Sequence, residues 1–294
     1  MRITLLGTGT PTPSLTRMSS GYLLRTGGDV VLLDHGPGAY HRMMQAGVEA
    51  TEVSHVFFSH LHYDHCLDYA RLLITRWDQG GGRIPELKVY GPPPMRRLHD
   101  SLFGEDGAFG PDIAARTEHP LSLSIYHARG GEGARPRPAP EITELKNGDR
   151  VEGNGWHLET ASVRHVQPHL HCYGYRVASG EGVVAYSGDS GPCKAMERLA
   201  RDADVLIHMC HYLSGSQLNE AFAETCMGHL ELAELAKAAS VANLVISHVT
   251  EQMDVPGVRE RIIAEMADIY RGNIFFGEDL MEIPIGDPRP SKLN

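Results

Sequence analysis

The stretch 57–66, FFSHLHYDHC, places His60, His62, Asp64 and His65 within six residues. It follows the apolar run HVFF, which is typical of the end of a buried strand. His60 and His62 project to the same side of an extended chain because side chains alternate with period two. Imidazole nitrogens and carboxylate oxygens are the ligands that borderline cations such as Zn²⁺ prefer. The stretch therefore predicts ligands for two neighbouring metal ions.

Two metal ions need more ligands than these four residues supply, and further candidates follow three other apolar runs. One apolar run ends at His165 in SVRHVQP, and another ends at Asp189 in the Gly-Asp-Ser turn of VVAYSGDSG. A third ends at His248 in NLVISHV. An isolated polar residue after a strand is usually an ordinary turn residue. Three strands that each end in a possible ligand favour a metal site instead.

The elements that must position these residues are short strands and amphipathic helices. Strand-like runs include RITLLGTG, GYLLRT, VVLLDHG, HVFFSH, WHLETASVRH, YGYRVAS, VVAYSGDS, DVLIHMC and NLVISHV. CLDYARLLITRW, HLELAELAKAAS and VRERIIAEMADIY have apolar residues at helical spacing. This order predicts an α/β fold with two sheets packed face to face and helices outside. No run resembles a linker, so residues 1–294 are expected to form one domain that ends in an irregular tail, GDPRPSKLN.

Composition narrows the class of protein. No run approaches the about 18 consecutive apolar residues of a membrane span, and the apolar start at residues 3–6 is too short for a secretory signal. The five cysteines form no CxxC pair, so a reducing, cytoplasmic compartment is expected. The net charge of −10 argues against an extensive nucleic-acid surface.

The order of the candidate ligands, His-x-His-x-Asp-His followed by a lone His, an Asp and a final His, resembles the metallo-β-lactamase superfamily. Within it, the sequence is similar to the ribonuclease Z-like branch. Motifs of that branch occur at four places: Leu6-Gly7-Thr8-Gly9, Gly174-Tyr175-Arg176, Tyr186-Ser187-Gly188-Asp189 and Gly228-His229. The resemblance covers nearly the whole chain and implies a four-layer αββα sandwich.

The resemblance also implies a dinuclear metal site. Its ligands would be His60, His62 and His165 for one ion, Asp64, His65 and His248 for the other, and Asp189 as the bridge. The expected ions are Zn²⁺, with Mn²⁺ or Fe²⁺ as alternatives because nitrogen and oxygen ligands discriminate poorly. Two cations about 3.5–4 Å apart would lower the pKa of a shared water enough to supply hydroxide near neutral pH.

Three residues have further roles that the resemblance implies. Asp64 would orient the hydroxide in addition to binding metal. His229 would donate a proton toward the leaving group or stabilise its charge, against the alternative that it merely begins a helix. Asp34, at the end of VVLLDHG, would orient a ligand imidazole, against the alternative of an ordinary turn residue.

The lone histidine ligand has alternatives nearby. His169 and His171 also form a His-x-His pair in HVQPHLHCYGYR, and the Gly-Tyr-Arg motif is shifted relative to the compact family spacing. His165 is assigned by inference, and His169 is the first alternative.

Two departures from ribonuclease Z bear on the substrate. Met209 stands where that enzyme has a glutamate that supports the catalytic histidine. The only candidate for its tRNA-gripping arm, residues 128–140, has three arginines (Arg129, Arg135 and Arg137) and is too short for a two-stranded arm. The segment is expected to be an exposed loop. Residues 7–14 with Arg17, residues 76–86 and residues 168–173 are expected to wall the pocket instead.

These observations predict a metal-dependent hydrolase of a small ester, with a phosphodiester favoured and a carboxylic ester, lactone or sulfate ester as alternatives. A tRNA 3′-processing endoribonuclease is a second hypothesis, and a degenerate, non-catalytic binding protein is a third. The complete ligand set argues against the third. The expected partner is a small-molecule ester, with no membrane, nucleic acid disfavoured and homodimer formation left open.

Overall fold

Two seven-stranded sheets form the centre of the part that a computed structural model describes, residues 1–80 and 82–285. The predicted C-terminal tail, residues 286–294, lies outside the described residues. The first sheet has the spatial order β14-β1-β2-β3-β4-β5-β6. Its strands are β1 (Arg2–Gly7), β2 (Gly21–Thr26), β3 (Asp29–His35), β4 (His55–Phe57), β5 (Lys88–Gly91), β6 (Glu141–Glu144) and β14 (Glu282–Ile283).

The second sheet has the spatial order β13-β12-β11-β10-β9-β8-β7. Its strands are β7 (Arg150–Glu152), β8 (Trp156–Ser162), β9 (Tyr173–Ser179), β10 (Gly182–Tyr186), β11 (Val205–Met209), β12 (Asn243–Ser247) and β13 (Asn273–Phe276). The helices are α1 (Ala39–Gln45), α2 (Tyr63–Cys66), α3 (Tyr69–Gly80), α4 (Met95–Phe103), α5 (Gly110–Glu118), α6 (Pro120–Ala128), α7 (Lys194–Ala200), α8 (Glu220–Thr225), α9 (His229–Ala238) and α10 (Val258–Ile269).

Three apolar layers separate the sheets and helices. The central layer lies between the sheets and contains Leu5, Phe57, Trp156 and Tyr175. One outer layer packs α1, α3 and α4 on the first sheet, and the other packs α7, α9 and α10 on the second. Strands buried on both faces read as nearly continuous apolar runs, as in β3, β11 and β12. The αββα sandwich expected from the sequence is confirmed.

The strands that carry the candidate ligands end at one edge of each sheet. β3 pairs with β4 in parallel, and β10, β11 and β12 pair in parallel with one another. β8 runs in the same direction as β10 because each pairs antiparallel with the strand between them, β9. The carboxyl ends of these strands are where ligands bind in many α/β proteins.

The region 95–128 differs most from the sequence pattern, which assigned no element there. It forms three consecutive helices, two of which have proline in their first turn. Proline at this position is compatible with a helix because the first amide groups have no intrahelical partner. In the part of the chain that the structure describes, no helix is both long and apolar enough to cross a membrane.

His35, the last residue of β3, makes stability depend on pH. Its ring is fully buried, and neither nitrogen has a hydrogen-bond partner within the described residues. Burial, with a smaller contribution from the charge of Arg71, lowers the pKa of His35 from 6.5 to about 3. The unfolded chain therefore binds this proton at a higher pH than the folded chain does. Its contribution to stability is present above pH 6.5 and is lost as the pH falls toward 3.

His35→Leu is therefore expected to make the free energy of unfolding less dependent on pH. Below pH 6, each further drop of one pH unit should lower the free energy of unfolding of the wild type by up to about 1.4 kcal/mol more than that of the variant. Urea unfolding at pH 7, 6 and 5 measures the difference. His41→Leu, which removes an exposed histidine of α1, is the control and should keep the wild-type slope. Identical slopes for the wild type and His35→Leu would contradict the prediction.

Candidate dinuclear metal centre

The seven predicted ligands come together in two neighbouring groups. Within each group, one ligand atom per residue lies within 4.8 Å of all the others. The first group is His60, His62, His165 and Asp189, and the second is Asp64, His65 and His248. Each group takes its residues from α2 or from the loops that follow β4, β8, β10 and β12. The two sheets thus contribute to both groups.

Asp189 lies between the two groups. One carboxylate oxygen, Oδ2, is 3.6 Å from His165 Nε2 and 3.3 Å from His248 Nε2. The other, Oδ1, is 3.4 Å from His65 Nε2. One carboxylate therefore faces imidazoles of both groups, as a ligand that joins two ions would have to.

Buried atoms without partners test whether a metal pair fits these residues. Among the described residues, four such atoms belong to the two groups: His65 Nε2, His165 Nε2, Asp64 Oδ1 and Asp189 Oδ1. An unsatisfied buried polar group costs about 1–3 kcal/mol, so four in one place need an external partner. Divalent cations bind this combination of nitrogen and oxygen atoms. The residues fit a cation in each group.

The electrostatics of the two carboxylates suit metal binding. Burial alone would raise the pKa of Asp189, but the charges of His248 and His65 hold that pKa well below its ordinary value. Burial would likewise raise the pKa of Asp64, and the neighbouring imidazoles of His248 and His65 lower it overall. Burial also holds the pKa of His60 well below 6.5. Ionised carboxylates and a neutral imidazole are the forms that ligate cations.

Asp34 holds His65 in place. Its buried carboxylate accepts hydrogen bonds from Ser59 N, from Ser59 Oγ and from His65 Nδ1, each at 2.7 Å, and from the Tyr186 hydroxyl. Since Nδ1 of His65 donates to Asp34, Nε2 is left to face the metal site. A carboxylate behind a ligand histidine fixes the tautomer and orientation of its ring.

The backbone is unusual where strands end at the site. Asp34 and His248 have φ values of 57° and 52°, in the left-handed region that non-glycine residues rarely adopt. Such residues cluster at functional sites. Gly36 permits a close approach, because a Cβ there would lie 1.9 Å from the carbonyl oxygen of Asp64. The glycine therefore lets α2 pack against the end of β3.

His165, and neither His169 nor His171, belongs to the first group. Its Nδ1 donates to the carbonyl of Thr225 at 3.1 Å, which leaves Nε2 facing Asp189. His169 and His171 are exposed and outside both groups. The arrangement supports the assignment of His165 over its alternatives.

His165→Ala is therefore expected to release one metal ion and to lower turnover by about a hundredfold or more, since even groups that only orient a ligand are worth about 10–100-fold. His169→Ala and His171→Ala are the matched controls and should keep wild-type metal content. Elemental analysis of dialysed protein measures the difference. Loss of metal in His169→Ala together with retention in His165→Ala would show that the ligand was misassigned.

His229 lies outside both groups, and both of its ring nitrogens have partners. Nδ1 accepts a hydrogen bond from the backbone N–H of Ser214 at 3.0 Å, and Nε2 donates to Glu265 at 2.7 Å. Glu265 lies on α10, and sequence reasoning missed it because no local pattern links it to His229. Met209 is buried. The acid role assigned to His229 stays a prediction.

A cavity of about 420 Å³ is linked to the second group through His211, which lines the cavity and contacts His248; its described lining includes none of the seven ligands. Its lining comes from three loops and α8: Thr10, Pro11, Thr12, His211, Tyr212, Leu213, Ser216, Leu218, Phe222, Thr250, Glu251, Gln252 and Met253. Of the three segments expected to wall a pocket, residues 7–14 contribute to this cavity, whereas its described lining includes none of residues 76–86 or 168–173. Sequence reasoning missed His211, whose signal was a second histidine in HMCH after β11.

The comparisons with known proteins agree with this geometry. A family model described as the beta-lactamase superfamily domain matches residues 30–249. A ribonuclease Z from Mycobacterium sp. (strain KMS) is 31% identical over 290 residues, which cover 97% of this chain and 96% of the relative.

Solved structures share the fold. The metallo-beta-lactamase fold protein YhfI from Bacillus subtilis superposes with a TM-score of 0.74 at 18% identity, covering 96% of this chain and 98% of that one. The short form of human tRNase Z superposes with a TM-score of 0.67 at 22% identity, covering 97% of this chain and 100% of that one. With the family match and the curated relative, these likenesses lead to one assignment. This chain belongs to the metallo-β-lactamase-fold superfamily of hydrolases, in its ribonuclease Z-like branch.

Proposed function

We propose that the chain is a dinuclear metal-dependent hydrolase that cleaves a compact phosphodiester. The observation that carries the proposal is the pair of ligand groups joined by Asp189 beside a cavity of about 420 Å³. A pair of divalent cations, when bound, supplies hydroxide near neutral pH and offsets the charge on an attacked phosphate. The chain's own residues hold the imidazoles in fixed tautomers, through Asp34 behind His65 and Thr225 behind His165.

The size and lining of the cavity support a small substrate. Pockets for small molecules are commonly about 300–1,000 Å³ and mostly apolar, with a few polar groups. Here Leu213, Phe222 and Met253 provide apolar walls. His211 is the histidine of the cavity lining, and its Nδ1 lies 3.3 Å from Nδ1 of His248. An ester with a modest organic group fits such a site.

The arginines of residues 128–140 support the same conclusion. Arg129 and Arg135 both donate to the carboxylate of Asp78, at 2.7 and 2.8 Å. Residues 129–140 form no helix or strand and are mostly exposed, as expected for an exposed loop, but Arg135 is buried and lies 4.1 Å over the ring of Trp77. Arg137 donates to the carbonyl of Phe103 at 3.0 Å. These contacts tie the segment to the protein body, whereas RNA binding needs cations that face phosphates.

A tRNA 3′-processing endoribonuclease is the second candidate. The observation that favours it is the name of the relative that is 31% identical over 97% of this chain. Carboxylic esters, lactones and sulfate esters remain as alternative small substrates, because an activated water attacks carbon and sulfur as well as phosphorus. Phosphodiesters are preferred because a pair of cations held by these two groups would offset the charge that develops on the phosphate oxygens.

Metal content and a substrate panel test the proposal. Purified protein should contain about two divalent ions per chain, one for each ligand group. It should cleave bis(4-nitrophenyl) phosphate faster than chromogenic sulfate, carboxylic ester and lactone substrates. Active protein with only trace metal would contradict the metal-dependent mechanism.

Precursor tRNA separates the two candidates. At physiological salt, the protein is expected to cleave the small diester and to leave the 3′ trailer of precursor tRNA largely intact. The short-form tRNase Z of human origin, assayed beside it, controls for substrate quality. Efficient trailer removal with saturation at micromolar RNA would favour the ribonuclease over the small-substrate enzyme.

A further inference from the structure

His211 is the one imidazole outside the seven ligands that both contacts a ligand and lines the cavity, within the chain as described. It follows β11 by two residues, and its Nδ1 lies 3.3 Å from Nδ1 of His248. It packs beside Phe222, with ring centroids 5.8 Å apart and ring planes tilted by 47°. The ring therefore lies between the second ligand group and the apolar wall of the cavity.

The hydrogen bond between these two rings determines where the proton of His211 resides. Nε2 of His248 lies 3.4 Å from Asp64 and 3.3 Å from Asp189, so this nitrogen faces the metal site. A histidine that ligates through Nε2 carries its proton on Nδ1. That proton can be donated only to an unprotonated Nδ1 of His211. The proton of neutral His211 is then on Nε2.

Nε2 of His211 has no hydrogen-bond partner among residues 1–80 and 82–285. Unlike the unpartnered atoms of the ligand groups, it is not buried. It is accessible from the cavity that the residue lines. His229 differs, because its two nitrogens are already bonded to Ser214 and Glu265. These bonds tie the loop after His211 to α9 and α10, and they leave His211 as the imidazole donor available to a bound ester.

We propose that His211 Nε2–H donates a hydrogen bond to an anionic oxygen of the phosphodiester, and that His229 instead holds the loop that carries His211. The inference rests on the proposed function and assigns the substrate contact within it. The contact is a hydrogen bond, and no proton is transferred. The neighbouring side chains Leu213, Phe222 and Met253 then contact the organic part of the same substrate.

Two isosteric variants separate this role from a purely structural one. His211→Gln places an N–H donor near the position of Nε2, whereas His211→Asn retains an acceptor near Nδ1 for His248 and lacks the distal donor. If His211 contacts the substrate, His211→Gln should retain phosphate affinity and His211→Asn should lose it. A role limited to orienting His248 predicts the reverse.

The experiment uses zinc-loaded full-length protein and inorganic phosphate as the probe, with affinity measured by isothermal titration calorimetry and zinc by elemental analysis. His211→Ala and His211→Asn should keep their zinc and bind phosphate about 10–100-fold more weakly, because a hydrogen bond to a charged group is worth about 1.5–3 kcal/mol. His211→Gln should lie within about threefold of the wild type. His41→Ala, an exposed control, should be unchanged.

Unchanged phosphate affinity in zinc-replete His211→Ala would overturn the inference and leave the proposed function intact. Rescue by Asn without rescue by Gln, or loss of zinc in His211→Ala, would overturn it in favour of a role in orienting His248. Failure of the wild type to cleave any diester, with the predicted phosphate pattern preserved, would reject the proposed function and support the contact made by His211.

Discussion

Asp189→Ala is expected to abolish the binding of both metal ions and to lower turnover by about a thousandfold or more. The carboxylate lies within 3.3–3.6 Å of imidazoles from both ligand groups, so its removal affects both ions. Loss of a single charge-stabilising group in an active site already costs about 10²–10³-fold in rate. Elemental analysis and diester hydrolysis on the same dialysed sample measure the two effects.

Asp112→Ala removes an exposed carboxylate of α5 that lies outside both groups, and it should keep wild-type metal content and rate. Asp189→Asn keeps the volume and one carbonyl oxygen, so it should retain more metal than Asp189→Ala. If Asp189→Ala still holds two ions per chain, Asp189 is not the ligand that joins them.

Asp34→Ala is expected to be the most destabilising of the single substitutions considered for this site. The carboxylate is fully buried and accepts four hydrogen bonds from three residues: Ser59, His65 and Tyr186. Its removal leaves those donors unpaired in the interior, and such losses cost about 3–5 kcal/mol. His65 also loses the group that fixes its tautomer, so metal affinity should fall about 10–100-fold.

Urea unfolding of the metal-free protein and zinc titration of the folded protein measure the two losses separately. Asp68→Asn is the matched control, because Asp68 accepts backbone hydrogen bonds from Gly38 and Tyr40 and belongs to neither ligand group. It should cost stability and leave zinc affinity unchanged. Wild-type zinc affinity in Asp34→Asn, which retains the shape of the side chain, would show that Asp34 has no role in orienting His65.

The order of layers could be predicted from the sequence alone, and so could the candidate ligands. β2 and β9 match the predicted strands residue for residue, and α9 and α10 begin where predicted. The two helices bury one regular face and the two strands are short, mostly buried runs, and both kinds of pattern are visible in the sequence. The candidate ligands could be read for the same reason, because each follows an apolar strand. The helices at 95–128 could not, since the prolines in the first turns of α5 and α6 look like helix breakers in a sequence.

Only the tertiary structure decided which polar residues act together. His165 lies in the first group, outside which His169 lies, and its ring is anchored by Thr225, 60 residues away. Glu265 became the partner of His229, and His211 the neighbour of His248, through contacts that span 36 and 37 residues. Arg129 and Arg135, which looked like candidates for RNA binding, are bound to Asp78. Such contacts depend on how helices and loops pack at the ends of the sheets. Packing between residues dozens of positions apart produces no periodic pattern in the local sequence, so it could not be predicted from that pattern.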